Sequence, residues 1–455
     1  MSIEDFKSLL NQYLPAIVSS YQTSEANHDI QLYEGLLEII QGETVYQGKG
    51  SVVFKWLPSP DIKFDFSTQA SFPHRLNFDQ TYLKFLETRA KVNILSLPTI
   101  FDENLEILGC LSEPVELNSN ADLFSVNFHL TNFHNFRGTQ ISRSNSISSD
   151  RLILEAEGWR ICIDNVENLE YIIKSLKLEG GYAITHVGKL ERFDKKTFSS
   201  KEAEEILEVL HWFLSFCRGF RISPILLVGQ NSRGKKVWEK WHSNQLISPW
   251  KGVNSWFIDS TALNTQSMNE FFAGFLTLWQ TNTWNDSIRL AIHWYLESNA
   301  QAGAVQGSII LLQAAFELLA GTLLVEDKKK ITQEEFDNTR KYPATEKLKY
   351  LLLECGISLD IPETLTDLLK AAEELKWNNG VQALTETRNA LIHANPKKRK
   401  RLLNRSFYEK IDIVNLGLWY LELVLLNIFG YKGKYLSRVT RKKIEYENIQ
   451  TVPWA

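Results

Sequence analysis

The hydrophobic pattern of this chain changes period once, near residue 268, and that change limits what it can fold into. Between about residues 29 and 190 apolar residues come in short runs separated by turn-forming ones. DIQLYEGLLEII, SVVFKWLP, LFSVNFHLTNF, RLILEAEGWRICID and GYAITHVGKLER read as strands. GTQISRSNSISSD (138–150) is polar and serine-rich, and reads as an exposed loop. SSKEAEEILEVLHWFLSFCRG predicts a helix over about 200–218, its acidic first turn suited to the positive end of the helix dipole. ISPILLVGQ then resembles a strand. The first 24 residues are expected to be helical, with Phe6, Leu9, Leu10, Tyr13, Leu14 and Ile17 at three-to-four spacing.

Beyond residue 268 the apolar spacing is helical almost throughout. SIILLQAAFELLAGTLL (308–324) is so continuously apolar that it belongs at the centre of its domain. A chain with these two textures is expected to be α+β. Residues 1–267 form a β-rich N-terminal region, sandwich- or barrel-like with a few helices. Residues 268–455 form an all-α bundle of roughly six helices. The length of 455 residues exceeds one ordinary core, in keeping with two or three domains.

Composition excludes several classes. With 44% hydrophobic and 23% charged residues the chain folds rather than remaining disordered. Cys110, Cys162, Cys217 and Cys355 are far apart, form no C-x-x-C pair and suit a reducing compartment. The early acids of MSIEDFKSLLNQYLPAIVSSYQTSE do not follow the order of a signal peptide, and a cytoplasmic location is expected. IDIVNLGLWYLELVLLNIF (411–429) approaches the length of a membrane span but contains Asp412 and Glu422. Each carboxylate would cost roughly 2.5–3.5 kcal/mol at the bilayer centre, so a helix buried among helices is expected and no membrane partner.

Charge is unevenly placed. The formal net charge is −4, yet residues 381–455 hold 14 Lys or Arg against 6 Asp or Glu, a local +8 that leaves −12 on the rest. Arg405, Arg438 and Arg441 belong to this excess, as does the run Lys397, Lys398, Arg399, Lys400 and Arg401. Such a distribution points to a polyanion site confined to the C-terminal quarter.

Some motifs fail on inspection. Gly229 to Lys235 satisfies G-x-x-x-x-G-K after an apolar strand, but Lys236 stands where a magnesium-binding Ser or Thr is needed. VWEKWHSNQ is also a poor helix, so an ordinary glycine turn is expected rather than an NTP-binding loop. His129 and His134, five apart in a strand-like run, are expected on opposite faces of a sheet. His293 is expected to be packed or hydrogen-bonded within the bundle rather than catalytic, and the 13 tryptophans to act as core anchors. Neither H-E-x-x-H nor G-x-S-x-G occurs. No metal and no cofactor are expected.

The informative segment is Thr385-Glu386-Thr387-Arg388-Asn389-Ala390-Leu391-Ile392-His393-Ala394-Asn395-Pro396. It reads as the end of a helix, because Pro396 disfavours helical geometry at Asn395. Asn389 and His393 share a face, where the amide can orient the imidazole, while Arg388 lies about 140° around the helix from His393. A last-turn histidine feels the negative end of the dipole, which favours its protonated form. Arginine beside such a histidine is the minimum equipment for metal-free RNA cleavage. A base takes the ribose 2′-OH proton, the guanidinium steadies charge on the phosphoryl oxygens, and an acid protonates the leaving 5′-oxygen. Lys397 to Arg401 follow immediately and can hold flanking phosphates.

R-N-A-L-I-H resembles the R-x(4–6)-H motif of the HEPN superfamily of nucleases, and the order AAFELLAG, motif helix and last apolar helix resembles a HEPN bundle. The region with NFHLTNFHNFRG and LHWFLSFCRG resembles ApeA-type abortive-infection proteins. The resemblance implies an endoribonuclease of anti-phage defence that works as a homodimer, its two motifs meeting in one composite cleft. It implies Arg388 and His393 as catalytic, Asn389 as support, RNA as substrate, no required metal, and a phage-derived trigger or regulatory partner. Glu317 in the AFELLA helix is a candidate internal partner for Arg388. The alternative is an inactive HEPN module that binds RNA or a protein partner.

Overall fold

The computed structural model describes the chain except residues 1–9, 22–24, 70–79, 97–104, 243–246, 259–264, 302, 393–395, 397–399, 401–404 and 443. The fold is α+β: a β-rich N-terminal region that includes a closed barrel, followed by a helical region. Two compact units share the chain. One comprises residues 1–153, 158–210 and 222–251, the other residues 154–157, 211–221 and 252–455. The period change at 268 therefore marks the start of continuous helix, while two short earlier segments also belong to the helical unit.

In the first unit, strands β2 (Ile30–Gln41), β3 (Thr44–Lys55), β4 (Asp61–Thr68), β5 (Thr81–Phe85), β6 (Thr88–Ser96) and β7 (Leu105–Leu111) close a barrel in the order β2-β3-β4-β7-β6-β5. Closure pairs Glu38 to Gln41 of β2 with Lys84 to Thr81 of β5. Strand side chains alternate between faces, so in β4 Ile62, Phe64, Phe66 and Thr68 point inward and Lys63 and Asp65 outward. Leu37, Val52, Phe54, Leu83, Val92 and Ile107 complete the filling.

Further strands build a nine-stranded sheet. They are β1 (Leu14–Pro15), β8 (Val115–Leu117), β9 (Ser125–Thr131), β10 (Thr139–Ser142), β11 (Ile147–Ala156), β12 (Trp159–Asn165), β13 (Ile184–Arg192), β14 (Ile225–Gln230) and β15 (Lys236–Trp241). Their order is β1-β10-β11-β12-β13-β9-β14-β15-β8. Helix α1 (Leu169–Glu179) lies between β12 and β13 in sequence, and α2 (Ser200–Arg218) between β13 and β14.

Four expectations are corrected or refined here. The first 24 residues are not one helix: Leu14 and Pro15 pair in parallel with Ile141 and Ser142. Pro15 biases Leu14 towards extended geometry. The segment then gains buried partners. The Arg151 guanidinium, clamped on Asp164 at 2.7 Å, donates to the Pro15 carbonyl, and the Ile17 amide donates to Asp164 at 2.8 Å. The serine-rich stretch 138–150 is likewise no loop but β10, a turn and the start of β11. β9 ends at Thr131, so His134 lies beyond it and strand parity does not relate it to His129. His129 is wholly buried, with Nδ1 3.1 Å from the Leu226 carbonyl and Nε2 3.1 Å from the Ser19 hydroxyl. Finally, residues 231–234 form the turn between antiparallel β14 and β15, with Gly234 at φ +74°. A strand follows where a phosphate loop needs a helix N-terminus.

The second unit contains α3 (Thr265–Trp279), α4 (Asn282–Asn299), α5 (Ala304–Gly321, prolonged by a π-helical turn to Asp327), α6 (Gln333–Asp337), α7 (Ala344–Glu354), α8 (Thr366–Leu375), α9 (Gly380–Ile392) and α10 (Phe407–Ile428). A short hairpin, β16 (Lys434–Leu436) with β17 (Ile449–Thr451), follows. α5 and α10 form the centre, through Leu312, Phe316 and Leu319 on one and Leu416, Tyr420 and Leu423 to Leu426 on the other, all buried. Gly417 lets them approach, because a Cβ there would stand 2.7 Å from Leu312 Cδ1. Both helices are long and apolar enough to cross a bilayer, and most of each is buried inside the unit. Trp256, Phe213, Phe216, Phe271, Phe275 and Phe429 form an aromatic cluster in the same unit, mostly edge-to-face or tilted.

Candidate active site

Helix α9 carries the R-N-A-L-I-H segment. Asn379 begins it, its side-chain oxygen accepting from the Gln382 amide at 3.0 Å. Val381, Ala383, Leu384, Thr385, Thr387 and Ala390 are buried, so this face is fixed by the bundle core. Thr385 also meets Thr345 of α7, hydroxyl to hydroxyl at 2.9 Å. Arg388 and Asn389 fall between the buried positions and are half-buried. The Arg388 guanidinium donates to the Asn389 side-chain oxygen at 3.2 Å. The described part of this helix runs to Ile392, and Pro396 and Lys400 beyond it are again helical. His393 and, of the basic run, Lys397, Lys398, Arg399 and Arg401 lie outside the described residues, while Lys400 is exposed.

The structure does not give Arg388 the internal partner expected for it. Glu317 of α5 is engaged by the Lys347 ammonium of α7 at 2.9 Å, and Lys347 is itself buried and seated over the Phe336 ring at 4.0 Å. A buried ammonium requires a carboxylate more than a half-exposed guanidinium does, because its desolvation is otherwise uncompensated.

The basic excess also needs correction. Arg438 is buried against Glu422, which accepts from its guanidinium at 2.7–2.8 Å and from the Tyr295 hydroxyl at 2.6 Å. Arg441 pairs with buried Asp412 at 2.6 Å and Arg405 with Glu409 at 3.3 Å. These three guanidiniums are engaged by carboxylates of the unit, while Lys400, Lys432, Lys434 and Lys442 of the same excess are exposed.

Sequence reasoning missed a cavity of about 340 Å³ beside α9, between α8 and the start of α10. Asp367, Lys370 and Glu374 of α8 line it, at positions i, i+3 and i+7 of one face. Arg405, Ser406 and Glu409 close the other side. Arg405 is fixed by its bond to the Thr387 hydroxyl at 3.2 Å and by its seat over the Trp377 ring at 4.7 Å. Burial pushes the Glu409 carboxyl up, and Arg405 opposes that shift. The helical spacing within α8 was legible in the sequence, but not its partner from α10. His293, expected to be packed or hydrogen-bonded within the bundle, accepts from Arg221 at 2.7 Å and is partly exposed. Among the described residues no cluster of histidine, cysteine and carboxylate side chains is arranged to hold a metal.

Comparison with known proteins places these elements in context. Residues 281–448 match the family described as YopA C-terminal domain. Residues 118–253 match the YopA central domain. The first match begins at α4 and contains the whole R-N-A-L-I-H segment; the second covers the nine-stranded sheet from β9 onward. The barrel precedes both. The chain is also 27% identical to the SPbeta prophage-derived uncharacterized protein YopA of Bacillus subtilis (strain 168), over 96% of this chain and 98% of that one. No solved structure matches.

Proposed function

We propose that the helical unit is a metal-independent endoribonuclease of the HEPN type. In this reading RNA is cleaved by attack of a 2′-hydroxyl on the adjacent phosphorus, leaving 2′,3′-cyclic phosphate and 5′-hydroxyl ends. His393 serves as acid/base, Arg388 stabilises charge on the phosphoryl oxygens, and Asn389 orients both. The observation that carries the reading is the Arg388–Asn389 pair: two polar side chains joined at 3.2 Å on a helix whose other face is core. A surface arginine with no task is usually extended and solvated, whereas this one is held ready. The basic run that follows supports an RNA substrate. The chain acts as a cytoplasmic homodimer in which two such helices share one cleft, and its β-rich unit receives a trigger. The relative's origin in a prophage fits a role in conflict between phages.

The test is incubation of the purified full chain with labelled RNA in EDTA, beside His393→Ala and Arg388→Ala. Cleavage by the parent alone, with cyclic phosphate ends, supports the nuclease. Equal RNA binding without cleavage by all three assigns the unit to a binding module instead.

A further inference from the structure

We propose that the cavity between α8 and the start of α10 seats a guanine base of the RNA, so that cleavage falls beside guanosine. The assignment of that base to an RNA strand rests on the nuclease reading above. Asp367, Glu374 and Glu409 place carboxylates around a space of about 340 Å³, and Lys370 and Arg405 place cations around the same space. A phosphate there would meet three carboxylates, and a cationic side chain would meet an ammonium and a guanidinium. A neutral, flat ligand with acceptors on one edge and donors on the next satisfies both sets. Guanine has that pattern: O6 and N7 accept, as arginine and lysine require, while N1–H and the N2 amino group donate side by side to a carboxylate. Adenine and cytosine each lack the paired donors. Ala371 and Leu375 give the base an apolar surface to lie on.

Two details point to a ligand rather than to a solvated notch. Glu409 is only 7% exposed, and its Oε1 accepts no hydrogen bond, Arg405 Nε standing 3.3 Å away as an ion pair outside bonding geometry. A buried carboxylate oxygen with an unused lone pair is costly until a donor reaches it. Arg405 is meanwhile held by Thr387 and Trp377, so its position does not depend on a ligand. Thr387 directly precedes Arg388, which places the cavity against the helix proposed to carry the chemistry.

The experiment measures binding of guanosine, inosine and adenosine to the full-length chain by calorimetry, and maps cleavage of RNA oligonucleotides with one guanosine at varied positions. Guanosine should bind roughly tenfold or more tightly than inosine, which lacks the N2 amino group, or adenosine. Glu374→Gln and Asp367→Asn, both at solvent-reached positions, should erase that preference and scatter the cleavage sites. Glu409→Gln should do the same, with a thermal melt to show that it folds. Equal binding of the nucleosides, or no binding, overturns the pocket. So does an unchanged preference in Glu374→Gln and Asp367→Asn. Base-indifferent cleavage removes the pocket and leaves the nuclease standing. Guanosine discrimination by a chain that cleaves no RNA removes the nuclease, and guanosine binding that oligonucleotides do not compete assigns the pocket to a free guanine compound, overturning the RNA assignment.

Discussion

Arg405 donates to the hydroxyl of Thr387 at 3.2 Å and thereby ties the segment leading into α10 to the residue before Arg388. The bond crosses from the segment that follows the basic run to the helix that precedes it. Thr387 buries its hydroxyl and also donates to the Ala383 carbonyl at 2.7 Å, an arrangement only a hydroxyl supports. Thr387→Val should therefore cost about 1 kcal/mol of stability and lower cleavage several-fold without altering the cyclic-phosphate ends. Urea denaturation and initial rates on one RNA check both.

Glu317→Gln separates two accounts of the Arg388 environment. Because Glu317 serves Lys347, the substitution should destabilise the helical unit by about 1–3 kcal/mol, the cost of leaving a buried cation short of its partner. RNA cleavage per folded molecule should remain at the parent level. A loss of cleavage as large as that of Arg388→Ala, with stability unchanged, would mean that the carboxylate acts on the arginine after all.

The salt dependence of RNA binding should report which cations reach phosphates. Single-stranded RNA loses affinity with a log–log slope of about 0.7 per phosphate contact, so neutralising Lys397 to Arg401 should flatten the slope by up to roughly 3.5. Arg438→Gln should leave the slope unchanged, since that guanidinium is buried against Glu422. It should instead destabilise the unit by about 3–5 kcal/mol, as expected when a buried carboxylate loses its partner. Filter binding between low and moderate salt, with denaturation curves, tests both halves.

Acid should weaken the β-rich unit in a defined window. Burial holds the His129 imidazole down at about 4, against about 6.5 in the unfolded chain. The unfolded state therefore binds a proton that the folded state refuses. The stability associated with a neutral His129 is intact above pH 6.5 and is lost as pH falls from there towards 4, on the order of 3 kcal/mol in all. Denaturation midpoints should fall across this range, and His129→Gln should fall less steeply. A parent curve flat between pH 6.5 and 4.5 would show that the imidazole is protonated in place.

Where the sequence could be read and where it could not follows from the range of the forces involved. Helix α9 was visible because apolar residues such as Val381, Leu384 and Ala390 recur at helical spacing. Barrel strands β2 and β3 were visible as the apolar runs DIQLYEGLLEII and SVVFKWLP between turn-forming residues. Leu14 to Ile17 misled, since their spacing suits a helix while their actual partners, Arg151 and Asp164, lie more than a hundred residues away. Charge misled in the same way. Arg438 looks like part of a polyanion patch until Glu422, sixteen residues earlier on α10, is found beneath it.

Local pattern alone determined the two-part α+β plan, the glycine turn at 231–234 and the motif that nominates Arg388, Asn389 and His393. Periodicity and turn chemistry act within one element, so one sequence suffices to read them. Tertiary structure alone decided which charges are spent internally, that Glu317 belongs to Lys347, and that α8 and α10 enclose a cavity beside α9. Those outcomes depend on desolvation, which is set by how elements pack and not by the order of residues along any one of them.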